Sequence, residues 1–158
     1  MQSALENRFH DIFYQGPTIL FFINIITLGN QKRYLLYYIV FFILNEILNA
    51  TLKGIIKQPR PIGYQNNNES GAIYTGVHLN YGMPSGHSQS SFFSLVFLWL
   101  VTKSPFLLVI ESIICFFTLF QRWKNKKHSI EQLFVGGIIG SLTAYLTFIV
   151  CENSQQWM

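Results

Sequence analysis

The sequence predicts an all-α protein, a multi-span transmembrane helical bundle of about five spans. Half of its 158 residues are hydrophobic and only 11% are charged, which is too few charges for the surface of an ordinary soluble domain. The alternative, a soluble helical bundle, would need a polar face along each helix, and the long apolar runs of this chain mostly lack one. We therefore expect one membrane-embedded domain over residues 1–158.

The predicted elements follow one another as a polar arm, a series of apolar segments and a polar tail. The arm covers residues 1–11, and the segments cover residues 12–28, 34–57, 84–103, 105–120 and 129–150. Segments of about 17–22 residues match a hydrocarbon core of ~30 Å at a rise of ~1.5 Å per residue. The first segment is interrupted by Gln15, Gly16 and Pro17, so its uninterrupted part is short for a full span. We expect this segment to be an uncleaved anchor, because it has no cleavable-leader pattern.

An odd number of spans sorts the polar connections onto two faces of the membrane. The N-terminus and the loops at 58–83 and 121–128 then share one face. The turns at 29–33 and 102–105 and the C-terminus share the other. The first face collects the polar residues that suggest chemistry, and we expect the loop at 62–83 to cover it as a lid, with His78 as a loop histidine outside the chemistry.

A short motif opens the third apolar segment, Met83-Pro84-Ser85-Gly86-His87-Ser88. Proline suits the first turn of a helix, because its missing N–H would have no helical partner there. The N–H groups of Ser85, Gly86 and His87 are then expected to point out of the helix end, where an anion accepts from them. The histidine adds a titratable group at the same place.

Polar residues also lie on one stripe near the end of the second segment. Glu46, Asn49 and Lys53 are three to four residues apart and share a helical face. Pro59 disfavours helical geometry in the residue before it, so the helix should end there. Lys53 and Arg60 are then expected to converge at the membrane surface. The alternative for such residues is a snorkelling interface anchor, which we prefer for Lys57.

The third polar cluster runs from Gln121 to Gln132. Its lysines are expected to contact lipid headgroups, and nucleic-acid binding is a poor alternative because the patch is short and lies against a bilayer. Arg122 and His128 are expected to play a different role from these lysines, because the lysine, the arginine and the helix start described above are expected to lie close to them. A lysine, two arginines, a helix N-terminus and two histidines suit a phosphate group. The chain offers no obvious carboxylate pair or histidine set for a metal ion.

These motifs, in this order, resemble the three signature motifs of the type 2 phosphatidic acid phosphatase superfamily. They are Lys53 with Arg60-Pro61, Pro84-Ser85-Gly86-His87, and Arg122 with His128. Within that superfamily the resemblance is closest to the dolichyl-diphosphatases. The residues that carry it are Leu44-Asn45-Glu46, Asn49, Tyr81-Gly82-Met83-Pro84, Ser88-Gln89 and Gln132-Leu133-Phe134-Val135-Gly136-Gly137-Ile138. It covers about residues 34–150.

The resemblance implies a metal-independent membrane phosphatase without a cofactor, which hydrolyses a polyprenyl (dolichyl-type) diphosphate to the monophosphate. It implies that His128 attacks phosphorus and forms a phosphohistidine, while His87 protonates the departing oxygen and then activates water. The residues implied to hold the phosphoryl oxygens are Lys53, Arg60, Ser85, Gly86 and Arg122. The residues expected to orient or support them are Gln132, Glu46 and Asn49. Substrate and bilayer are the implied partners.

Two positions depart from the superfamily pattern. Gln121 stands where a serine is usual, and Gln132 stands where the superfamily has an aspartate. A comparable Asp-to-Asn change in a serine-protease triad costs about 10⁴ in rate, partly through a wrong tautomer. Two interpretations of Gln132 stay open: it orients His128, or it forms a capping box with Ser129. Glu131 could supply a charge instead.

The face of the membrane that carries the site is predicted differently by two criteria. Its Lys and Arg residues are Arg8, Lys53, Lys57, Arg60, Arg122, Lys124, Lys126 and Lys127, against Lys32, Arg33 and Lys103 on the other face. This excess places the site in the cytosol by the positive-inside rule. The dolichyl-diphosphatase resemblance implies the lumen of the endoplasmic reticulum, which we favour. Asn68-Glu69-Ser70 is an N-glycosylation sequon on the same loop.

Two alternative functions fit the same fold. One is a phosphatase of lipid monophosphates such as phosphatidate. The other is a catalytically weakened structural or lipid-binding membrane protein, which Gln121, Gln132 and the lysine-rich loop motivate. Phosphate release from a polyprenyl diphosphate and from phosphatidate, measured with a chelator present, distinguishes these functions from the first.

Overall fold

The computed structural model describes residues 14–63 and 81–154, and these residues form five α-helices with no strand among them. The helices are α1 (Gly16–Leu28), α2 (Lys32–Ile56), α3 (Gly86–Thr102), α4 (Pro105–Lys124) and α5 (Ile130–Asn153). The all-α prediction is confirmed. The predicted arm at residues 1–11, His78 with most of its loop, and the sequon at Asn68 lie outside the described residues.

Three of the helices in the described part of the chain are long and apolar enough to cross a membrane. They are α2, α4 and α5, with 25, 20 and 24 residues. Helix α1 has only 13 residues, so at ~1.5 Å per residue it extends ~20 Å, less than a bilayer core of ~30 Å. The predicted shortness of the first segment is confirmed. Large apolar side chains lie on the outside of the bundle, as Ile26 and Phe106 do at 78% and 72% exposed, and this suits contact with lipid.

Helix α3 begins later than the sequence pattern predicts. Its N-cap is Ser85, whose Oγ accepts from the Ser88 N–H at 3.4 Å. The prediction that Pro84 occupies the first helical turn is therefore wrong. A serine oxygen satisfies an otherwise unpaired N–H of the first turn, which a proline at that position does not do. Pro84 instead precedes the cap, and its carbonyl accepts from Asn49 Nδ2 at 3.3 Å.

Helix α3 lies at the centre of the bundle and packs against the other four helices of the described residues. Its approach to α5 is close because α5 presents glycines: a Cβ at Gly140 would overlap the backbone of Gln89, and one at Gly136 would meet the Ser85 carbonyl. The buried side chains of α3 change along its length. Serines and Gln89 fill its first half, and the aromatic pair Phe93 and Phe97 fills its second.

The two ends of the bundle consequently differ in chemistry. At the aromatic end, Tyr38 stacks on Phe93 with ring centroids 5.8 Å apart, and its hydroxyl hydrogen-bonds to Ser94 Oγ at 2.8 Å. Beyond this cluster, Arg33 Nη2 donates to Glu152 Oε1 at 3.1 Å, which joins the start of α2 to the end of α5. The turn before α2 and the end of α5 therefore lie at the same end of the bundle.

Candidate active site

Backbone hydrogen bonds join the three motif-bearing segments at the polar end. The N–H of Gly82, just before α3, donates to the carbonyl of Gln58, just after α2, at 2.8 Å. The N–H of Ser85 donates to the carbonyl of Gln132 in the first turn of α5 at 3.0 Å. The segments that follow α2, precede α3 and begin α5 therefore form one connected structure.

The loop between α4 and α5 folds back onto the end of α4. The carbonyl of Arg122 accepts from the N–H groups of Lys127 and His128, at 3.0 and 3.3 Å. The carbonyl of Lys127 in turn accepts from Arg60 Nη1 at 3.0 Å. These bonds place His128 beside both arginines, one from the end of α4 and one from the exit of α2.

The imidazole of His128 is buried and held in one orientation. Its Nδ1 lies 3.0 Å from the carbonyl of Gly82 and 3.3 Å from Oε1 of Gln132. Both partners are acceptors, so Nδ1 carries the proton. The lone pair of the neutral ring is then on Nε2, the nitrogen a nucleophilic histidine needs.

The amide of Gln132 uses all of its hydrogen-bonding groups. Its Oε1 accepts from the Ser129 N–H at 3.2 Å as well as from the imidazole, and Ser129 Oγ accepts from the Gln132 N–H at 3.3 Å. Its Nε2 donates to Gln58 Oε1 at 3.0 Å and to the carbonyl of Pro59 at 2.9 Å. The capping box and the contact with His128 are therefore both present. Glu131, one residue earlier, is exposed.

The charges of three basic side chains act on the protonation of the histidine. Lys53 and Arg122 are only 9% and 2% exposed, although each carries a charge. Burial, together with the positive charges of Arg60, Arg122 and Lys53, lowers the pKa of His128 well below the usual histidine value. His128 is accordingly neutral at pH 7, with its Nε2 lone pair available.

The second histidine lies in the first turn of α3 and belongs to the same cluster. The positive charges of Arg122 and Lys53 act on both His87 and His128, so the two imidazoles share these cations. The His87 ring also contacts the ring of Tyr14, with centroids 5.4 Å apart. No motif of the sequence indicates a role for Tyr14, which precedes α1.

A side-chain network behind the site holds the start of α3. Asn49 Nδ2 donates to Gln89 Oε1 at 2.8 Å and to the carbonyl of Pro84. Gln89 Nε2 donates to both the carbonyl and Oδ1 of Asn45 at 2.9 Å. A Cβ at Gly86 would lie 3.1 Å from Asn49 Oδ1, so a glycine there lets α2 approach the first turn of α3. Asn49 thus supports the start of α3.

Glu46 has two neighbours on the same side of α2. Its carboxylate accepts a hydrogen bond from the Ser90 hydroxyl, and its charge lies close enough to Lys53 for the two to interact. The predicted support of the lysine by Glu46 is consistent with this placement.

One expected phosphate donor is already engaged. The N–H of Ser85 is bonded to the carbonyl of Gln132, so it is not one of the unpaired N–H groups that the sequence predicts. Ser85 acts through its side chain as the helix cap. Gly86 and His87 are the first two residues of α3, and N–H groups at that position have no acceptor within the helix.

The remaining charged residues of this face lie at its periphery. Lys57, Lys124 and Lys126 are exposed, as expected of contacts with headgroups. Within residues 14–63 and 81–154, no three His, Cys, Asp or Glu side chains are grouped in a way that could hold a metal ion.

Comparison with known proteins points to one family. Residues 34–156 match the PAP2 superfamily. The chain is 32% identical to the dolichyldiphosphatase of Saccharomyces cerevisiae over 122 residues, which is 68% of this chain and 48% of that protein. It is 32% identical to dolichyldiphosphatase 1 of Mus musculus over 126 residues, 70% of this chain and 50% of that protein.

A plant protein of a different name also matches. The chain is 31% identical to the chloroplastic lipid phosphate phosphatase epsilon 2 of Arabidopsis thaliana, over 69% of this chain and 37% of that protein. The chain spans about half the length of the dolichyldiphosphatases it matches. No solved structure matches it.

Proposed function

The chain belongs to the PAP2 superfamily, and from this premise we propose that it is a membrane phosphatase that hydrolyses a polyprenyl diphosphate to the monophosphate through a phosphohistidine on His128. The observation that carries the proposal is the double acceptor contact of His128 Nδ1, which leaves Nε2 as the lone-pair nitrogen among three cations. A neutral nucleophile surrounded by fixed positive charges suits attack on an anionic phosphoryl group.

The first step transfers the terminal phosphoryl group to the protein. Nε2 of His128 attacks the terminal phosphorus, the N–P bond forms, and the P–O bond to the bridging oxygen breaks. The electron pair of that bond leaves with the lipid monophosphate, and His87, when protonated, donates a proton to the bridging oxygen. Lys53, Arg60 and Arg122 stabilise the charge on the phosphoryl oxygens during transfer.

The second step returns the protein to its starting state. Water attacks phosphorus, its proton passes to His87, and the N–P bond breaks to release inorganic phosphate. The Nε2 lone pair is thereby restored. Because a lipid monophosphate leaves more readily than an alkoxide, the first step on a diphosphate needs little help from an acid. His87 then matters more as the base of the second step.

The test is phosphate release by the purified full chain in detergent, with a chelator present. Release from a polyprenyl diphosphate that exceeds release from phosphatidate supports the proposal. Equal or faster release from phosphatidate supports a second candidate, a phosphatase of lipid monophosphates, which the likeness to a lipid phosphate phosphatase motivates. A folded protein that releases phosphate from neither lipid contradicts both, and dependence on an added metal contradicts the metal-independent mechanism.

For location, we propose the membrane of the endoplasmic reticulum with the site facing the lumen. The likeness to dolichyldiphosphatases and the sequon at Asn68 support this orientation. Expression in eukaryotic cells tests it: a glycosidase-sensitive mass shift that disappears in Asn68→Gln supports a lumenal loop. Labelling of a cysteine introduced at residue 68 from the cytosolic side only would contradict it.

A further inference from the structure

Helix α1 lies outside the residues that match the family, yet it delivers a side chain to the candidate site. The match begins at residue 34, and α1 ends at Leu28. Tyr14, next to the start of α1, contacts two members of the cluster. Its ring lies under the Arg122 guanidinium, with 5.1 Å from Cζ to the ring centroid, and against the ring of His87.

The backbone of Tyr14 makes a further contact. It accepts a hydrogen bond from the imidazole of His87. In a neutral imidazole only one nitrogen carries a proton, so a bond to a carbonyl fixes which nitrogen that is. The other nitrogen, on the opposite side of the ring, is then left as a proton acceptor. This is the state that a base for water attack requires.

The docking of α1 explains why Tyr14 is held there. The buried residues of α1 recur every four positions and form one stripe, made of Gly16, Leu20, Asn24 and Leu28. At the site end, Gly16 packs so closely on α4 that a Cβ would overlap the side chain of Thr118. Further along, Asn24 Nδ2 donates to Glu111 Oε1 at 2.6 Å. These two contacts fix the position of α1 along α4, and with it the position of Tyr14.

We infer that Tyr14 is a positioning residue of the proposed phosphatase, which holds His87 as the base of the second step and orients Arg122 on the phosphoryl group. This inference rests on the proposed function. The ring acts on Arg122 by a cation–π contact that constrains the guanidinium plane. The backbone contact acts on His87 by fixing its tautomer.

The test compares Tyr14→Leu with Tyr14→Phe, which retains the ring, and with Tyr145→Leu, a tyrosine 52% exposed on the outside of α5. Rapid-quench measurements on a polyprenyl diphosphate separate formation of the phosphoenzyme from its hydrolysis. Tyr14→Leu keeps the backbone carbonyl but removes the ring that lies against His87. We therefore expect it to slow hydrolysis by about 10- to 100-fold and formation less, because a small misplacement of a catalytic group has effects of that size. The phosphoenzyme should therefore accumulate. Tyr14→Phe and Tyr145→Leu should stay within about threefold of the wild type.

Binding of inorganic phosphate, measured by ³¹P NMR, gives a readout that does not need turnover. Tyr14→Leu should weaken phosphate binding about tenfold through misorientation of Arg122, and Tyr14→Phe should not. If the wild type proves inactive on lipid phosphates, the proposed function fails and with it the role of His87, while phosphate binding still tests the effect on Arg122. If the wild type is active and Tyr14→Leu matches it in both measurements, the inference is overturned and the proposed function stands. Equal loss in Tyr14→Phe and Tyr14→Leu also overturns it, since the ring would not then be what matters.

Discussion

The two histidines of the candidate site are held in different ways. His128 is fixed by the hydrogen bonds that its Nδ1 donates to Gly82 and Gln132, all within the region that matches the PAP2 superfamily. His87 is held by the ring of Tyr14 and by a hydrogen bond that its imidazole donates to the Tyr14 backbone, and the docking of α1 brings Tyr14 into place. The orientation of the proposed nucleophile is thus set by the segments that carry the three motifs, while that of His87 depends on a helix outside the matched region. Loss of His128 should therefore abolish turnover, and loss of His87 or of its support should only slow it.

The largest expected effect is the loss of His128. His128→Ala should abolish turnover on every lipid phosphate, because the group that forms the N–P bond is gone. His87→Ala is the matched comparison. It should lower the rate by about 10²–10⁴-fold, the usual range for a general acid–base group, and by less on a diphosphate than on a monophosphate. Phosphate release by both variants is the measurement. Normal turnover in His128→Ala would exclude it as the nucleophile.

Gln132 is the next position, because its amide supports His128 and the segment after α2 together. Gln132→Leu should lower kcat by roughly 10²-fold and destabilise the fold by about 1–3 kcal/mol, since the Gln58 and Pro59 oxygens lose a donor. Glu131→Gln, one residue away and exposed, should have little effect and serves as the control. Activity assays and thermal unfolding in detergent measure the two effects. A Gln132→Leu variant with wild-type kcat would show that the imidazole needs no such support.

The pH dependence follows from the lowered pKa of His128. The ratio kcat/KM reports the protonation of groups in the free protein. It should stay level as the pH falls through ~6.5 and decline only at more acidic values, where Nε2 becomes protonated. Gln132→Glu should move this decline to higher pH, because a carboxylate favours the imidazolium. A decline of the wild type already near pH 7 would contradict the electrostatic description of the site.

The stability of the fold, like kcat/KM, should decrease at acidic pH. The unfolded chain binds a proton at His128 near pH 6.5, and the folded chain binds it only at lower pH. The contribution of this residue is therefore constant above ~6.5 and is lost as the pH falls towards the folded pKa. The thermal midpoint of the wild type should fall more steeply over that range than the midpoint of His128→Gln. Parallel curves for the two proteins would contradict this expectation.

The smallest expected effect tests the remote support of His87. Asn24→Leu removes the hydrogen bond to Glu111 and should cost about 1–3 kcal/mol of stability, because it leaves the partner carboxyl buried without its donor. We expect kcat to fall less than tenfold, as Gly16 still docks the near end of α1. Ile26→Leu, on the exposed side of the same helix, is the control. A kcat loss as large as that of Gln132→Leu would show that the two supports do not differ as described.

Much of this arrangement could be predicted from the sequence. Helical spacing put Asn49 and Lys53 on one face, and the alternation of spans put the three motifs at one end of the bundle. The prediction of Pro84 at the first helical turn failed because the serine that follows it is a better cap. The two interpretations of Gln132 could not be separated from the sequence, since an amide with four hydrogen-bonding positions can satisfy both.

The role of α1 could not be predicted in the same way. Asn24 and Glu111 are 87 residues apart, and nothing local to either residue names the other as its partner. The four-residue spacing from Gly16 through Leu20 to Asn24 does indicate a buried stripe. It does not indicate which helix the stripe faces, because that depends on how the bundle closes. Tyr14 reaches the site only as a result of that closure.

The most direct test of the account is to trap the phosphoenzyme. His87→Ala should slow its hydrolysis, so this variant is mixed with a polyprenyl diphosphate carrying ³²P in the terminal position and quenched in alkali. A phosphohistidine intermediate predicts an acid-labile, alkali-stable label on the peptide that contains His128, and loss of that label when His128→Ala is added. Label on another residue, or label that persists in the double variant, would contradict it.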